Sequence, residues 1–160
     1  MLGKSAYIKL VDASTVQEVT LEDVKQKFQR YVEMTTKTGQ QLGWDYAEAA
    51  FPYTIVDHPD ADGNWFYLKG KDPKLYKYII VGVGTETIPV EDSEEGENRE
   101  QVENTQEQHY IQVILPDGAT HGDVTKANEY CKFLAKQFQA QLKLFNGRLM
   151  YYYPRKLIQS

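Results

Sequence analysis

The chain has 160 residues, 41% of them hydrophobic and 12% aromatic, and its formal net charge at pH 7 is −5. These values predict a single globular domain, residues 1–160, and argue against a nucleic-acid partner, because phosphate binding needs concentrated positive charge. No run of about 18 apolar residues occurs, which argues against a membrane partner. The lone cysteine, Cys131, cannot form an intrachain disulfide, and a reducing, cytoplasmic location is predicted.

The first half of the chain predicts a strand, a helix and a meander of three strands. Residues 5–11 are rich in apolar side chains and predict a short strand. Thr20 is the predicted N-cap of a helix with one apolar stripe, which ends at Gly39 or Gly43. Residues 44–50 fit a short helix or a loop. Three extended runs, predicted to pair antiparallel through short turns, follow at 51–56, 65–69 and 75–83.

The segment 90–108 is strongly acidic and divides the chain into two halves. It holds eight acids and one arginine, and it lacks the apolar side chains needed for folding, so a flexible loop within the domain is predicted. After this segment, residues 109–115 predict a strand, 123–144 an amphipathic helix and 149–153 a final strand.

These elements predict an α+β fold with two amphipathic helices packed on a largely antiparallel sheet of five or six strands. The two halves also contain matching positions, such as Asp23 with Asp123 and Leu42 with Leu142. They are consistent with two strand–helix–strand units related by duplication. A chance similarity between two copies of a common unit is the alternative.

An aromatic cluster with one carboxylate is the main candidate for a contact site. If the loop after the first helix folds over the sheet, these rings line an apolar pocket for a small ligand or a contact surface for a protein. Packing within the core is the alternative. The residues are Trp44, Asp45, Tyr46, Phe51, Tyr53, Trp65 and Tyr67.

No metal or cofactor site is predicted. The histidines His58, His109 and His121 lack the HExxH pattern and the i,i+4 spacing of metal ligands on a helix. The loop 57–64 resembles part of an EF-hand, but Lys69 stands where the calcium loop needs a bidentate glutamate. A hydrated turn between two strands is predicted there instead.

No catalytic residue is predicted. Cys131 lies on the apolar stripe of the second helix, and burial makes a thiol a poor nucleophile. His121 stands close to Asp123, but its place just before a helix makes Thr120 or Asp123 a capping residue first.

The predicted function is therefore a protein-interaction or small-ligand-binding module without catalysis, either a monomer or a homodimer paired through a sheet edge. The alternative is a small enzyme of isomerase or hydrolase type with an aromatic pocket around Trp44 and Asp45. That reading requires Asp45 to approach His109 or His121 within hydrogen-bonding distance.

Three strings resemble a family of cytoplasmic proteins from Bacillus-type bacteria that is classed as a domain of unknown function. They are SAYIKLV at 5–11, KTGQQLGWDYAEAAFPY at 37–53 and YKYIIVGVG at 76–84. The resemblance covers nearly the whole chain outside the acidic segment. It implies a single α+β domain in a bacterial cytoplasm and no established site residues.

Overall fold

The computed structural model describes residues 3–43, 46–61, 63–89 and 105–153, except the side chains of Tyr46, Ala47 and Asp60. Within these ranges the chain forms seven strands and three α-helices, which confirms the α+β class. In chain order they are β1 (Lys4–Lys9), α1 (Leu21–Leu42), α2 (Tyr46–Ala50), β2 (Tyr53–Asp57), β3 (Trp65–Gly70), β4 (Tyr78–Pro89), β5 (Thr105–Leu115), α3 (His121–Phe138), β6 (Gln141–Lys143) and β7 (Leu149–Tyr151). A short 3₁₀ turn, Pro59–Ala61, precedes β3.

All seven strands belong to one antiparallel sheet in the order β2-β3-β4-β5-β1-β6-β7. The first strand of the chain therefore lies inside the sheet. Ile8 of β1 stands opposite Ile111 of β5 on one side and Leu142 of β6 on the other. The central pairings of the sheet therefore join residues that are far apart in sequence.

The sheet has one buried face and one partly exposed face, because successive side chains of a strand point to opposite sides. In β1, Ala6 and Ile8 are buried, whereas Ser5 and Tyr7 are only half-buried. The same alternation continues through β3 and β5.

Helices α1 and α3 pack together on the buried face. The Phe28 ring of α1 lies 5.5 Å from that of Tyr130 in α3 and 6.2 Å from that of Phe66 in β3, measured between ring centroids. Cys131 is fully buried in the same core, which confirms its predicted place on the inward face of the second helix.

Both long helices begin with the same capping box. Thr20 accepts from the Asp23 backbone N–H of α1 while Asp23 accepts from the Thr20 backbone N–H, and Thr120 and Asp123 do the same for α3. The predicted cap roles are confirmed, and α1 ends at Gly43, one of its two predicted ends. The duplication of a strand–helix–strand unit stays a prediction.

The second long helix, α3, is shorter than predicted, and residues near its predicted C-terminal end form an additional strand. The helix ends at Phe138 rather than near residue 144, because Gln139 adopts a left-handed conformation with φ 51°. Ser14 and Thr15 of the β1–α1 loop then donate hydrogen bonds to the carbonyls of Gln139 and Phe138. Residues 141–143 form β6, so the prediction of five or six strands is one or two short.

The paired strands β4 and β5 are longer than predicted. Their register continues to Pro89 opposite Thr105, so the last four residues of the predicted loop 90–108 belong to β5. Residues 90–104 lie outside the described part of the chain, and their loop character stays a prediction. Most side chains are polar here, but the two strands stay paired beyond the edge of the core because the pairing is made by backbone hydrogen bonds.

The β3–β4 connection corrects the predicted start of a strand at Leu75. The Leu75 and Tyr76 backbone N–H groups donate to the Asp72 carbonyl in a turn, and the Lys77 N–H donates to the Asp123 carboxylate. Strand β4 therefore starts at Tyr78. Residues 46–50, for which helix and loop were both considered, are helical.

Candidate functional site

The partly exposed side of the sheet, which we call the open face, carries no helix among the described residues. Strand alternation places on it the side chains that are not buried against α1 and α3. Eleven of its side chains are aromatic or aliphatic: Tyr7, Val56, Trp65, Tyr67, Tyr78, Ile80, Ile88, Tyr110, Ile114, Leu149 and Tyr151.

A shallow cavity of about 300 Å³ lies on the open face around Gly82 of β4. Trp65 of β3 and Gln112 of β5 stand opposite Gly82 on its two sides, and the glycine leaves a gap between them. We call this gap the Gly82 cavity. Its complete lining is Asn64, Trp65, Ile80, Gly82, Val83, Gln112 and Ile114.

A second glycine, Gly84, lies under an aromatic ring instead of a cavity. A Cβ atom at Gly84 would stand 2.6 Å from the Tyr110 hydroxyl and 2.8 Å from its Cζ atom. The Tyr110 ring packs edge-on against Tyr7, with 5.6 Å between centroids. This aromatic pair separates the Gly82 cavity from the far end of the β4–β5 pair.

The Gln112 amide is the oriented polar group at the cavity wall. Its Nε2 donates to Ser5 Oγ at 3.0 Å and to Tyr7 Oη at 3.3 Å. Because both amide hydrogens are used, the carbonyl Oε1 is the atom this side chain can offer to a ligand, and it acts only as an acceptor.

The charged side chains of the open face are mainly lysines. Lys9 pairs with Glu86 at 3.2 Å, and strand alternation also places Lys69 and Lys143 on this side. Glu86 is the only acid on the face among the described strand residues. In a chain of net charge −5, this side of the sheet is therefore locally positive.

Trp65 also borders a second cavity, of about 440 Å³, at the start of α1. There the His58 ring stacks on the indole with 5.0 Å between centroids, and Lys25 forms an ion pair with Asp57. The Trp65 side chain therefore lines both cavities, and we expect its fluorescence to respond to binding in either one.

The structure separates the aromatic cluster that the sequence pointed to. Phe51 and Tyr53 are 6% and 2% exposed and belong to the core, whereas Trp65 and Tyr67 lie on the open face. Tyr46 is in α2. Trp44 and Asp45 lie outside the described residues. Among the described members, the core pair and the open-face pair do not line one pocket, because the sheet separates them.

Tyr53 has a structural partner that the sequence did not indicate. Its hydroxyl donates to Asp123 Oδ1 at 2.6 Å, and burial, together with this hydrogen bond, raises the pKa of Tyr53 well above its ordinary value. Asp123 is fully buried and also accepts from the backbone N–H groups of Lys77 and Thr120. This group joins β2, the β3–β4 turn and α3.

The described residues do not test the alternative catalytic prediction, which requires Asp45 to approach His109 or His121. His109 lies in β5 and His121 is the first residue of α3, while Asp45 is outside the described residues. Burial raises the pKa of Cys131 to about 12, which keeps the thiol protonated at neutral pH. Within the described ranges, no three histidine, cysteine or acidic side chains are placed to hold a metal ion, and no helix has the length and apolarity to cross a membrane.

Sequence reasoning missed Ile80, Gly82, Gln112 and Ile114 as cavity residues. Their strands were predicted, and period-two alternation puts Ile80 with Gly82 and Gln112 with Ile114 on common faces. The register that sets Gly82 opposite Gln112 has no local signal, because the intervening segment does not specify how the two strands align.

Comparison with known proteins agrees with the resemblance noted from the sequence. Residues 4–154 match the family described as domain of unknown function (DUF1885). A crystal structure described as a protein of unknown function from Bacillus stearothermophilus is 40% identical to this chain, with 88% of this chain and 94% of that chain covered and a TM-score of 0.49. No curated protein matches the sequence. The chain belongs to the family of domain of unknown function DUF1885.

Proposed function

We propose that this protein is a binding module without catalysis of its own, and that it recognises a protein or a small ligand through the open face. The observation that carries this proposal is the Gly82 cavity, which lies among partly exposed rings on the side of the sheet that no described helix covers. Clustered exposed apolar side chains are typical of interaction surfaces in soluble proteins.

The side chains of the open face suit binding. Tyrosine and tryptophan offer large contact areas and lose little rotamer entropy when they are fixed. Tyr78 and Tyr151 are 45% and 43% exposed, so a partner can cover much ring surface. Tyr67 packs edge-on against Tyr78 at 5.5 Å between centroids, which orients both rings before a partner arrives.

The cavity supplies a specific position within this broad surface. Its volume of about 300 Å³ is at the lower end of the range for ligand sites. Trp65, Ile80 and Ile114 form apolar walls, and Gln112 supplies an oriented acceptor. A few polar atoms within an apolar lining are the usual composition of a ligand site.

The proposal places the protein in the cytoplasm, as a monomer or a homodimer. Support for this setting comes from Cys131, a single buried thiol without a disulfide partner, as expected in a reducing compartment. The two outer strands of the sheet, β2 and β7, have backbone groups that a second copy could pair with.

A tryptophan reporter tests the proposal. The chain has two tryptophans, so a Trp44→Phe variant leaves Trp65 as the sole indole at the cavity wall. We expect saturable changes in its emission, and a higher melting temperature, when binders are found in a fragment library and a pool of short peptides. Binding to the folded state raises stability by mass action.

A matched pair of substitutions controls for effects of surface polarity. Ile114→Ser removes a branched apolar side chain from the cavity, and Val124→Ser removes one that is 40% exposed on α3. Binding should weaken at least tenfold in the first variant and stay unchanged in the second. A set of binders that all ignore Ile114→Ser, or no binder at all, would contradict the proposal.

A further inference from the structure

We infer that the Gly82 cavity takes an aromatic side chain from an acidic, extended peptide segment of a protein partner, and that Lys69 and Lys143 contact acids of that segment. This inference rests on the proposed function and specifies the ligand. Three observations support it: the form of the cavity, the charge of the open face and the spacing of its lysines.

The form of the cavity favours a single side chain over a free small molecule. Its walls come from β3, β4 and β5 and from Asn64 just before β3, so it is a depression in one sheet face that stays open on the solvent side. A small ligand bound alone usually has most of its surface buried. A protein partner instead inserts one aromatic anchor and covers the surrounding rings with its own backbone.

The lining of the cavity fits an aromatic ring that carries a donor. A planar ring can lie over Gly82, where no Cβ projects, beside the Trp65 indole and between Ile80 and Ile114. The Gln112 Oε1 atom accepts from a donor group, so tyrosine and tryptophan anchors should be preferred over phenylalanine.

The charge of the open face selects an acidic partner. Lys69 and Lys143 are exposed and have no ion-pair partner among the described residues, whereas Lys9 is paired with Glu86. Like charges repel across an interface, so a basic segment would be disfavoured.

The positions of Lys69 and Lys143 predict a spacing. Lys69 is one strand and four residues from Gly82, and Lys143 is three strands from Gly82 at the same register. At about 4.8 Å per strand and 3.3 Å per residue, each lysine is roughly 14 Å from Gly82, a distance that an extended segment covers in about four residues. Side chains alternate along such a segment, so two acids, each about four positions to either side of an aromatic residue, share a face with it.

The chain's own acidic segment does not meet this requirement. Residues 90–104 contain seven acids but no aromatic residue. A synthetic peptide of this sequence therefore serves as a control that has the charge and lacks the anchor.

Selection from a random dodecapeptide display library on the wild-type protein tests the inference. We expect enrichment of peptides with a tyrosine or tryptophan and two acids at the spacing given above. A synthetic peptide of the enriched sequence should change Trp65 emission in the Trp44→Phe background. Replacing its aromatic residue by serine, or using the 90–104 peptide, should weaken binding at least tenfold, as for loss of a central anchor.

Charge-reversal variants test the role of the lysines. Lys69→Glu and Lys143→Glu should each weaken the selected peptide about three- to tenfold, and a peptide with lysine in place of the matching acid should recover the loss. Lys132→Glu is the matched control, since Lys132 is exposed on α3 and reversal there should leave binding unchanged. Circular dichroism and melting temperature establish that each variant is folded.

The other outcomes overturn the inference. Enriched peptides without the aromatic residue or without acids, binding unaffected by either reversal on the open face, or a library without enrichment would each do so. Self-association that quenches Trp65 fluorescence would assign the face to a second copy of this chain. Tighter binding of oligothymidylate than of any peptide would assign it to a single-stranded nucleic acid. If selected peptides lack the acids but still depend on Ile114, the specific inference fails and the proposed binding function stands.

Discussion

Asp123 is a buried carboxyl group that is held by hydrogen bonds and has no ion-pair partner among the described residues. It accepts from the Tyr53 hydroxyl and from the backbone N–H groups of Lys77 and Thr120. A buried charge is tolerated when its acceptor sites are used in this way. The residue therefore acts both as part of a helix cap and as a junction of three elements.

Substitution of Asp123 should cost much more stability than substitution of its counterpart in α1. Asp123→Ala leaves three donors without their acceptor, and we expect a loss of about 3 kcal/mol or more in the free energy of unfolding. Asp23→Ala removes the same capping interaction at an exposed position and should cost about 1 kcal/mol. Urea denaturation followed by circular dichroism measures both. Equal losses would show that the contacts to Tyr53 and Lys77 contribute nothing.

The stability of the protein should fall in alkali, in part because of Tyr53. The folded state holds the Tyr53 proton above its ordinary pKa of 10.0, while the unfolded chain releases it near pH 10. Stability from this residue is complete below pH 10 and is lost as the pH rises. Relative to Tyr53→Phe, the wild type should lose about 1.4 kcal/mol between pH 8 and pH 11. A difference between the two proteins that does not change with pH would contradict this assignment.

At the scale of elements, the ends of the two long helices differ in a way that stability measurements can detect. Helix α1 ends at Gly43 with φ 79°, a conformation that glycine adopts without strain. Helix α3 ends at Gln139 with φ 51°, where a side chain makes the same conformation costly.

Two substitutions at these ends should have opposite effects. Gln139→Gly relieves the strain and should raise the free energy of unfolding by about 0.5 kcal/mol. Gly43→Ala introduces strain at a place where a Cβ meets nothing within 4 Å, so the backbone alone should cost about 1 kcal/mol. Thermal unfolding of both variants beside the wild type checks the signs. The same sign for both would mean that backbone conformation does not control these helix ends.

The same contrast explains which elements could be predicted. Thr20 and Gly43 carry strong local signals, and helix α1 follows its prediction closely. The end of α3 has no glycine, and Leu142 and Leu144 continue the apolar spacing beyond it, so the helix was extended through what is β6. Local patterns define elements well where capping residues are present.

At the scale of the whole molecule, the two faces of the sheet have separate roles. One face binds the helices in the core, and the other presents rings, a cavity and lysines to solvent. The sequence grouped Phe51 and Tyr53 with Trp65 and Tyr67 because all four are aromatic and close along the chain. Only the pairing of Tyr53 with Gly70 and of Tyr67 with Ile80 assigns them to opposite faces, and pairing is a long-range property.

The acidic segment should be dispensable for folding. Pro89 and Thr105 face each other across β4 and β5, so an Asn-Gly type I′ turn can replace residues 90–104 without changing the register. The replacement removes seven acids and one arginine and changes the formal net charge from −5 to +1. We expect an unchanged circular dichroism spectrum and a melting temperature within about 4 °C of the wild type, a range corresponding to under ~1 kcal/mol. An unfolded variant would show that the segment is part of the fold.

The central place of β1 has a consequence for how the protein is made. Its partner strands β5 and β6 begin only at residues 105 and 141. At a synthesis rate of about 5–20 residues per second, β1 waits roughly 5–20 s for the first of them. Through that interval its apolar side chains Ala6 and Ile8 lack the neighbours that bury them. Completion of the sheet is therefore a late event relative to the synthesis of β1, and we expect chaperones that shield exposed strands to bind the nascent chain in that interval.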